Sequence, residues 1–422
     1  MTSPEIAFGI LLFLTVLNYR AQRSVLYPPF IFCVMWALDL GVYCLGLIQV
    51  DAVHGNTLAI VLAGAAAFSI GGWLAGLTPV ELLRIHQFPV RPQNFPRLLR
   101  NALTVILLCA LPVMAYQVFQ LSKGGSGVGI LMRARQAQVQ AAENGEPVHS
   151  LVLDYFVMVA SMTSLLFATE KKDRQFWMVT AIAFLGCILS TGRTSLLLLI
   201  AGLCALRLLE TRQESLVRAL RLLRWPAVLF VVFYVALIFT NKNTKGMPGG
   251  ASGIAIYFVL SYIVGPLAAF DAVVQTPVLY APASTHTFEF LMKIAAALHL
   301  TDYSPPPKLD AFVMVPFPTN VYTVFKFYFL DVGTGGILVV FLLFGIVHTL
   351  LYLKARQGGR LSRYLFAFSV YSVLMVTFDD AYYTTGIFLR AFIFGFLYFL
   401  LGSLRVSFFA TDHPERTAAL RS

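Results

Sequence analysis

The sequence predicts an all-α fold: a polytopic integral membrane bundle of about eleven helices (10–13), with a large loop of interfacial or re-entrant helices on its outer side. Three observations predict it. The 422 residues are 58% hydrophobic and only 12% charged, which is more apolar surface than a soluble core can bury. The apolar residues fall in runs that suit the ~30 Å hydrocarbon layer of a bilayer. The basic residues sort onto alternate loops between those runs, which is the orientation signal of a membrane protein.

Run length places the main spans at roughly 5–19, 25–49, 56–77, 101–118, 151–169, 176–190, 194–209, 226–241, 333–353, 363–380 and 386–404. The opening Met1-Thr2-Ser3-Pro4-Glu5 has no basic n-region and no small-residue cleavage site follows, so residues 6–18 read as a span and not as a signal peptide. Ile254 to Val274 is a candidate twelfth crossing. It would need a partner, and the amphipathic stretch from Thr287 to Leu300 is the one available. The whole chain, 1–422, reads as a single transmembrane domain. Cys33, Cys44, Cys109, Cys187 and Cys204 lie in apolar runs without zinc-ligand spacing and read as packing residues.

One set of loops holds most of the 31 Lys and Arg, in short segments at 20–23, 84–100, 171–174, 207–224, 354–363 and the tail 405–422. The positive-inside rule makes that set cytoplasmic, so the N-terminus lies outside and the C-terminus inside. The net charge of +11 is spread over these loops and builds no basic domain, so no nucleic-acid partner is expected.

Two outer segments stand apart. Within 119–150, Gly124-Gly125-Ser126-Gly127 precedes a polar helical stretch, 130–142, that carries Arg133 and Arg135. The segment 241–332 is too apolar for a floppy loop. Gly265-Pro266 should kink or break a helix in it, and Pro305-Pro306-Pro307 is a stiff extended spacer. It reads as a lid over a cavity that opens outward, where broken helices are tolerated.

No P-loop, His-Glu-x-x-His or Gly-x-Ser-x-Gly element is present, so no cofactor is expected. The charged groups of the outer side remain. Arg193, in Ser190-Thr191-Gly192-Arg193-Thr194-Ser195 between two apolar runs, either binds a phosphate or pyrophosphate through its planar fork or snorkels to lipid headgroups. Arg390, four residues inside the last span, either binds the same kind of anion or forms a salt bridge to Asp379 or Asp380, two roles that are compatible. Helical spacing would put Tyr322 and Lys326 on one face, with Asp331 following; the alternative is an aromatic belt with one anchoring lysine. Asp271 is a general base or a solvated carboxylate at a helix end. Asp379-Asp380 has no third ligand in view, so no metal is expected. Asp39, in mid-span, is a functional candidate or a helix-to-helix hydrogen-bonding group. His286 and His149 are candidate bases or solvated loop residues. Arg133 and Arg135 either contact a sugar or phosphate or are simply exposed.

These stretches resemble a family. Ser190 to Ser195 is similar to the Thr-Gly-Arg-Thr element of bacterial oligosaccharide repeat-unit polymerases, the Wzy-type enzymes of O-antigen and capsule. Tyr262 to Asp271 resembles their Tyr-x-x-Gly-Pro-x-x-Ala-Phe-Asp element. Asn320 to Gly336 resembles their Thr-Asn-Val-Tyr-Thr…Asp-x-Gly-x-x-Gly stretch, with Lys326 where arginine is common. The resemblance implies an inner-membrane glycosyltransferase. It would join undecaprenyl-pyrophosphate-linked oligosaccharides on the periplasmic face, without nucleotide sugar or metal, with membrane lipids and a chain-length regulator and flippase of the same pathway as partners. Arg193, Arg390, Lys326, Asp271 and Asp331 are then the catalytic candidates. Arg133, Arg135, Tyr262, Asn320, Tyr322, Asp380 and His286 are the substrate-binding candidates. The rival readings are an O-antigen ligase and a lipid-linked glycan transporter.

Overall fold

The computed structural model describes residues 2–79, 94–125, 129–143, 151–190, 193–211, 217–218, 220–222, 224, 250–277, 287, 289–303, 312–380 and 386–403. The expected span at 226–241, the spacer Pro305-Pro306-Pro307 and the tail lie outside the described residues, as do His149 and His286.

The architecture is all-α apart from one small hairpin. In chain order the helices are α1 (Pro4–Gln22), α2 (Pro28–Cys44), α3 (Gly55–Gly76), α4 (Asn94–Leu121), α5 (Ile130–Glu143), α6 (Leu151–Glu170), α7 (Arg174–Leu189), α8 (Arg193–Thr211), α9 (Gly250–Gln275), α10 (Glu289–Ala297), α11 (Phe325–Arg356), α12 (Arg360–Leu374) and α13 (Ile387–Ser403). The strands β1 (Val313–Met314) and β2 (Pro318–Thr319) pair antiparallel between α10 and α11. Among the described residues, five helices are long and apolar enough to cross a membrane: Pro4–Gln22, Gly55–Gly76, Arg97–Leu121, Thr194–Thr211 and Phe325–Arg356. Five more apolar helical segments are shorter.

Local chemistry sets several boundaries. Ser3 caps α1 by accepting from the Ile6 amide, Pro4 opens its first turn, and Arg23 closes it in the left-handed region (φ 49°). Asp173 caps α7 through the Phe176 amide. Three boundaries differ from the sequence expectation. α9 runs unbroken through Gly265-Pro266; membrane helices tolerate proline where neighbours pack closely, and a Cβ on Gly265 would come within 2.9 Å of the Phe317 ring of the hairpin. α11 begins at Phe325 rather than near 333. Its backbone breaks at Gly333 (φ 66°, ψ −170°), a conformation open essentially to glycine alone. α12 stops at Leu374, because the chain from 375 to 380 turns in against α11: the Val324 amide donates to the Val376 carbonyl at 3.0 Å.

The tightest packing joins α3 and α11, which run parallel. A Cβ on Gly71 would lie 2.1 Å from the Leu342 carbonyl oxygen, and one on Gly345 the same distance from that of Phe68. Small residues let the two backbones meet, as in membrane helix pairs. Asn18, fully buried, ties α1 to both neighbours: its amide donates to Ser69 Oγ (2.9 Å) and the Pro29 carbonyl (3.3 Å), and it accepts from Trp73 Nε1 (2.9 Å). One apolar cluster gathers α1, α2, α3, α9 and α11. A second gathers α4, α6, α7 and α13. α8 and α12 contribute to both and weld them together.

The bundle has two chemically distinct ends. At one, Arg100 is buried between Glu170 (3.1 Å) and Asp173 (2.7 Å), with its guanidinium over the Phe167 ring, and Tyr398 donates to Glu170 at 3.0 Å. This knot fastens α4, α6, α7 and α13, and Lys172 pairs with Glu210 beside it. Arg207 also pairs with Glu210, and Arg360 lies near Tyr398, at this same end.

The close approach of α3 to α11 is open to a direct check. Gly345→Ala forces a methyl into a backbone carbonyl and should cost about 1–3 kcal/mol. Gly9→Ala, where a Cβ meets nothing within 4 Å, should be neutral or stabilising. Thermal unfolding of the detergent-solubilised variants compares them; equal stability of Gly345→Ala and the parent chain would remove this contact from the account.

Candidate functional site

The opposite end begins with the first turn of α3. Its free amides need acceptors, and one arrives from α9, 217 residues away. The Asp271 carboxylate accepts from the His54 amide (3.0 Å) and the Thr57 hydroxyl (2.5 Å) through Oδ1, and meets His54 Nδ1 at 2.8 Å through Oδ2. Gln275, one turn on, donates to it at 3.4 Å. Asp271 is buried, and among the described residues no lysine or arginine pairs with it; the His54 amide and ring, Thr57, Gln275 and the positive end of α3 surround the carboxylate. The His54 side chain is 62% exposed.

Phe270 carries this corner to the start of α11: its ring lies 6.0 Å from Phe325 and 6.0 Å from Phe329. Phe325 fits because α3 has Gly64 beneath it, where a Cβ would lie 2.4 Å from the ring. Lys326 is buried, with its ammonium 3.8 Å from the centre of the Tyr322 ring and 4.8 Å from that of Phe327. Tyr322 precedes the helix, so the pair meets by cation–π contact and not by a shared helical face. Asn320 lies half-buried just after β2. Asp331, in the segment before the Gly333 break, accepts from the Thr287 amide at 2.6 Å and so holds the lead-in to α10.

The stretch 371–380 then joins these parts to α8. Asp380, almost fully buried, accepts from the Tyr328 hydroxyl at 3.0 Å. Asp379 is exposed and accepts from the Asp380 amide, so the two carboxylates diverge. Phe378 stacks on Tyr262 of α9 (5.7 Å, 23°). The Tyr371 hydroxyl bonds the Thr194 side chain in the first turn of α8, next to Asp379. Arg193 opens α8; of it the backbone alone is described.

The remaining candidates are more peripheral. Arg390, in the first turn of α13, is exposed, with its guanidinium 5.5 Å from the Tyr155 ring. Among the described residues it pairs with neither Asp379 nor Asp380. Arg133 and Arg135 lie on α5, which packs on α4; the Arg133 Nε is buried without a partner, and Arg135 is exposed. Asp39 is buried with neither oxygen bonded, one turn beyond Trp36, whose ring stacks on Phe325 at 5.2 Å. Among the described residues no three His, Cys, Asp or Glu side chains come together as a metal site.

Three stretches far apart in sequence, the start of α8 at 193–195, 262–271 and 320–336, therefore meet at one end of the bundle with 371–380 as their junction. His54 joins them unforeseen. Its only sequence signal is a histidine at the N-cap of a span, and its partner is 217 residues away. No family model matches this chain, and no curated protein or solved structure is significantly similar to it.

The Tyr328–Asp380 bond is the buried polar joint of this junction. Tyr328→Phe keeps the ring and removes the donor, so it should lower stability by about 1.5–3 kcal/mol, the range for bonds to charged groups. An unchanged unfolding transition would show that the bond carries none of the packing.

Proposed function

We propose that the chain is a bacterial oligosaccharide repeat-unit polymerase of the Wzy type. It transfers a growing glycan from undecaprenyl pyrophosphate to the next lipid-linked unit. We further propose the finer membrane arrangement that this function needs: about eleven spans in the inner membrane, with the Arg100 end cytoplasmic and the Asp271 end periplasmic.

The observation that carries the reading is the convergence just described, together with the charges it brings. Lys326, Arg193 and Arg390 each stand in the first turn of a helix: α11, α8 and α13. A cation there opposes the helix dipole, which favours negative charge at that end by roughly 0.3–1 kcal/mol. None of the three helices has an acidic residue in its first turn to offset this. At the Arg100 end, Arg174 and Arg360 break the same rule, but the positive-inside bias accounts for them. At the Asp271 end that bias runs the other way. An anion bound at that end would be met by helix amides and cations together.

Helix lengths support a position for the anion near lipid. At about 1.5 Å per residue, α7, α12 and α13, with 16, 15 and 17 residues, span about 22–26 Å. The hydrocarbon layer is ~30 Å thick. With their other ends level with the Arg100 knot, the turns after α7 and α12 stop short of the far face. A recess of that kind lets a lipid-linked pyrophosphate at the headgroup level reach the turns.

In the transfer, the acceptor oxygen forms the new glycosidic bond, and the bond from the anomeric carbon to pyrophosphate breaks. The electron pair leaves with the lipid pyrophosphate. Cations placed where that charge grows lower the barrier. Arg193→Lys keeps the charge and loses the fork.

Purified protein with lipid-pyrophosphate-linked repeat units should give a ladder of products on a gel. Arg193→Ala should lower the rate by about a hundred- to a thousand-fold, with Arg193→Lys also impaired. No ladder from the parent chain would reject the function. Full activity of both variants would reject the role of Arg193.

A further inference from the structure

We infer that His54 is the general base of this end of the molecule, and that Asp271 is its positioning residue rather than the base itself. The inference rests on the polymerase reading and assigns that reaction a residue which none of the three resembling stretches contains.

The Asp271 carboxylate is buried, and its oxygens are taken up by the His54 amide, the Thr57 hydroxyl, the Gln275 amide and the His54 ring. A saturated, buried carboxylate is badly placed to reach a sugar hydroxyl. The His54 ring is in the opposite position. Its Nδ1 meets Asp271 Oδ2 at 2.8 Å, and the side chain is otherwise 62% exposed. A carboxylate at Nδ1 takes the ring proton there and leaves the lone pair on Nε2, the arrangement of a histidine base oriented by a third group. The backbone reinforces it. The His54 amide bonds Oδ1 of the same carboxylate, so ring and main chain are fixed to one anchor, and Thr57 holds that anchor to α3.

The location also fits. Asp271 ends one resembling stretch, and Phe270 beside it packs on Phe325, the neighbour of Lys326. The base and the anion-binding cations therefore sit on adjoining elements of one end, as a transfer between hydroxyl acceptor and pyrophosphate donor requires. The chemistry balances without a further reactant. His54 Nε2 takes the acceptor hydroxyl proton as the oxygen bonds the anomeric carbon. The pyrophosphate leaves with its electron pair, and the ring returns its proton to water.

The test uses the full chain in detergent or nanodiscs with the lipid-linked repeat unit. Because the ring is exposed and the amide is retained, His54→Gln should fold normally. It should lower kcat by about a hundred-fold or more, the lower range for general base catalysis, with KM changed less than about threefold. Asp271→Asn keeps an oxygen acceptor for the His54 amide and Thr57 and loses the carboxylate at the ring. It should lower kcat by about ten-fold or more, and the double variant should be little worse than His54→Gln, since the two act as one unit. Imidazole should restore part of the rate of His54→Ala. A kcat for His54→Gln within about threefold of the parent, or losses that simply multiply in the double variant, would overturn the dyad while the polymerase reading stands. No product from the parent chain would overturn both.

Discussion

The rest of this molecule depends on how closely α3 and α11 approach. Gly71 and Gly345 let carbonyl groups of the partner helix come within 2.1 Å of where a Cβ would stand. Between lipid-facing helices there is no hydrophobic drive, so close backbone contact and dispersion must hold them. Their registration fixes what lies at their N-termini. On α3 that is His54 and Thr57, which meet Asp271. On α11 it is Phe325, seated over Gly64 and packed by Trp36, Phe32, Phe270 and Phe341. Lys326 follows Phe325 directly, so an aromatic hub sets the position of the cation. Gly333 then lets the first segment of α11 depart from the axis of the rest, at a φ of 66°.

The two ends solve the problem of charge in different ways. At the Arg100 end carboxylates pair with cations: Glu170 and Asp173 with Arg100, Glu210 with Lys172 and Arg207. Those contacts rivet helices together. At the Asp271 end Asp271 is held by the His54 amide and ring, Thr57 and Gln275, Lys326 touches aromatic faces, and Arg390 faces a tyrosine ring. An aromatic face attracts a cation through its quadrupole and adds to whatever other contacts the cation makes. The contacts of the two ends differ accordingly: ion pairs at one, and hydrogen bonds to a buried carboxylate with aromatic–cation contacts at the other.

Much of the helical plan was legible in the sequence, because a membrane span is written as an apolar run. α1, α3, α6, α7, α8 and α13 lie within a few residues of the runs that announce them. The failures have physical causes. The first segment of α11 is rich in Phe and Tyr and interrupted by Lys326 and Asp331, so hydropathy placed the helix start after it. Pro266 reads as a breaker in isolation, but the helix around it is packed by the hairpin. The hairpin itself is too short to leave a period-two signal. At the site, Arg193 and Lys326 were visible because charge is conspicuous between apolar runs. The partners of Asp271 and Asp380 were not: His54 and Tyr328 are reached through the fold, across 217 and 52 residues, and no local spacing encodes either contact.

The central claim, proposed above, is that one end of the bundle, where 193–195, 262–271, 320–336 and 371–380 meet and Arg390 opens α13, holds a lipid-linked pyrophosphate. A lipid-pyrophosphate-linked sugar carrying a photoreactive group beside the phosphates tests it most directly, with the adducts mapped by peptide mass spectrometry. The account expects adducts in those four stretches, lost when excess unlabelled lipid-linked substrate is present. Adducts confined to the Arg100 end, or insensitive to that competition, would contradict it.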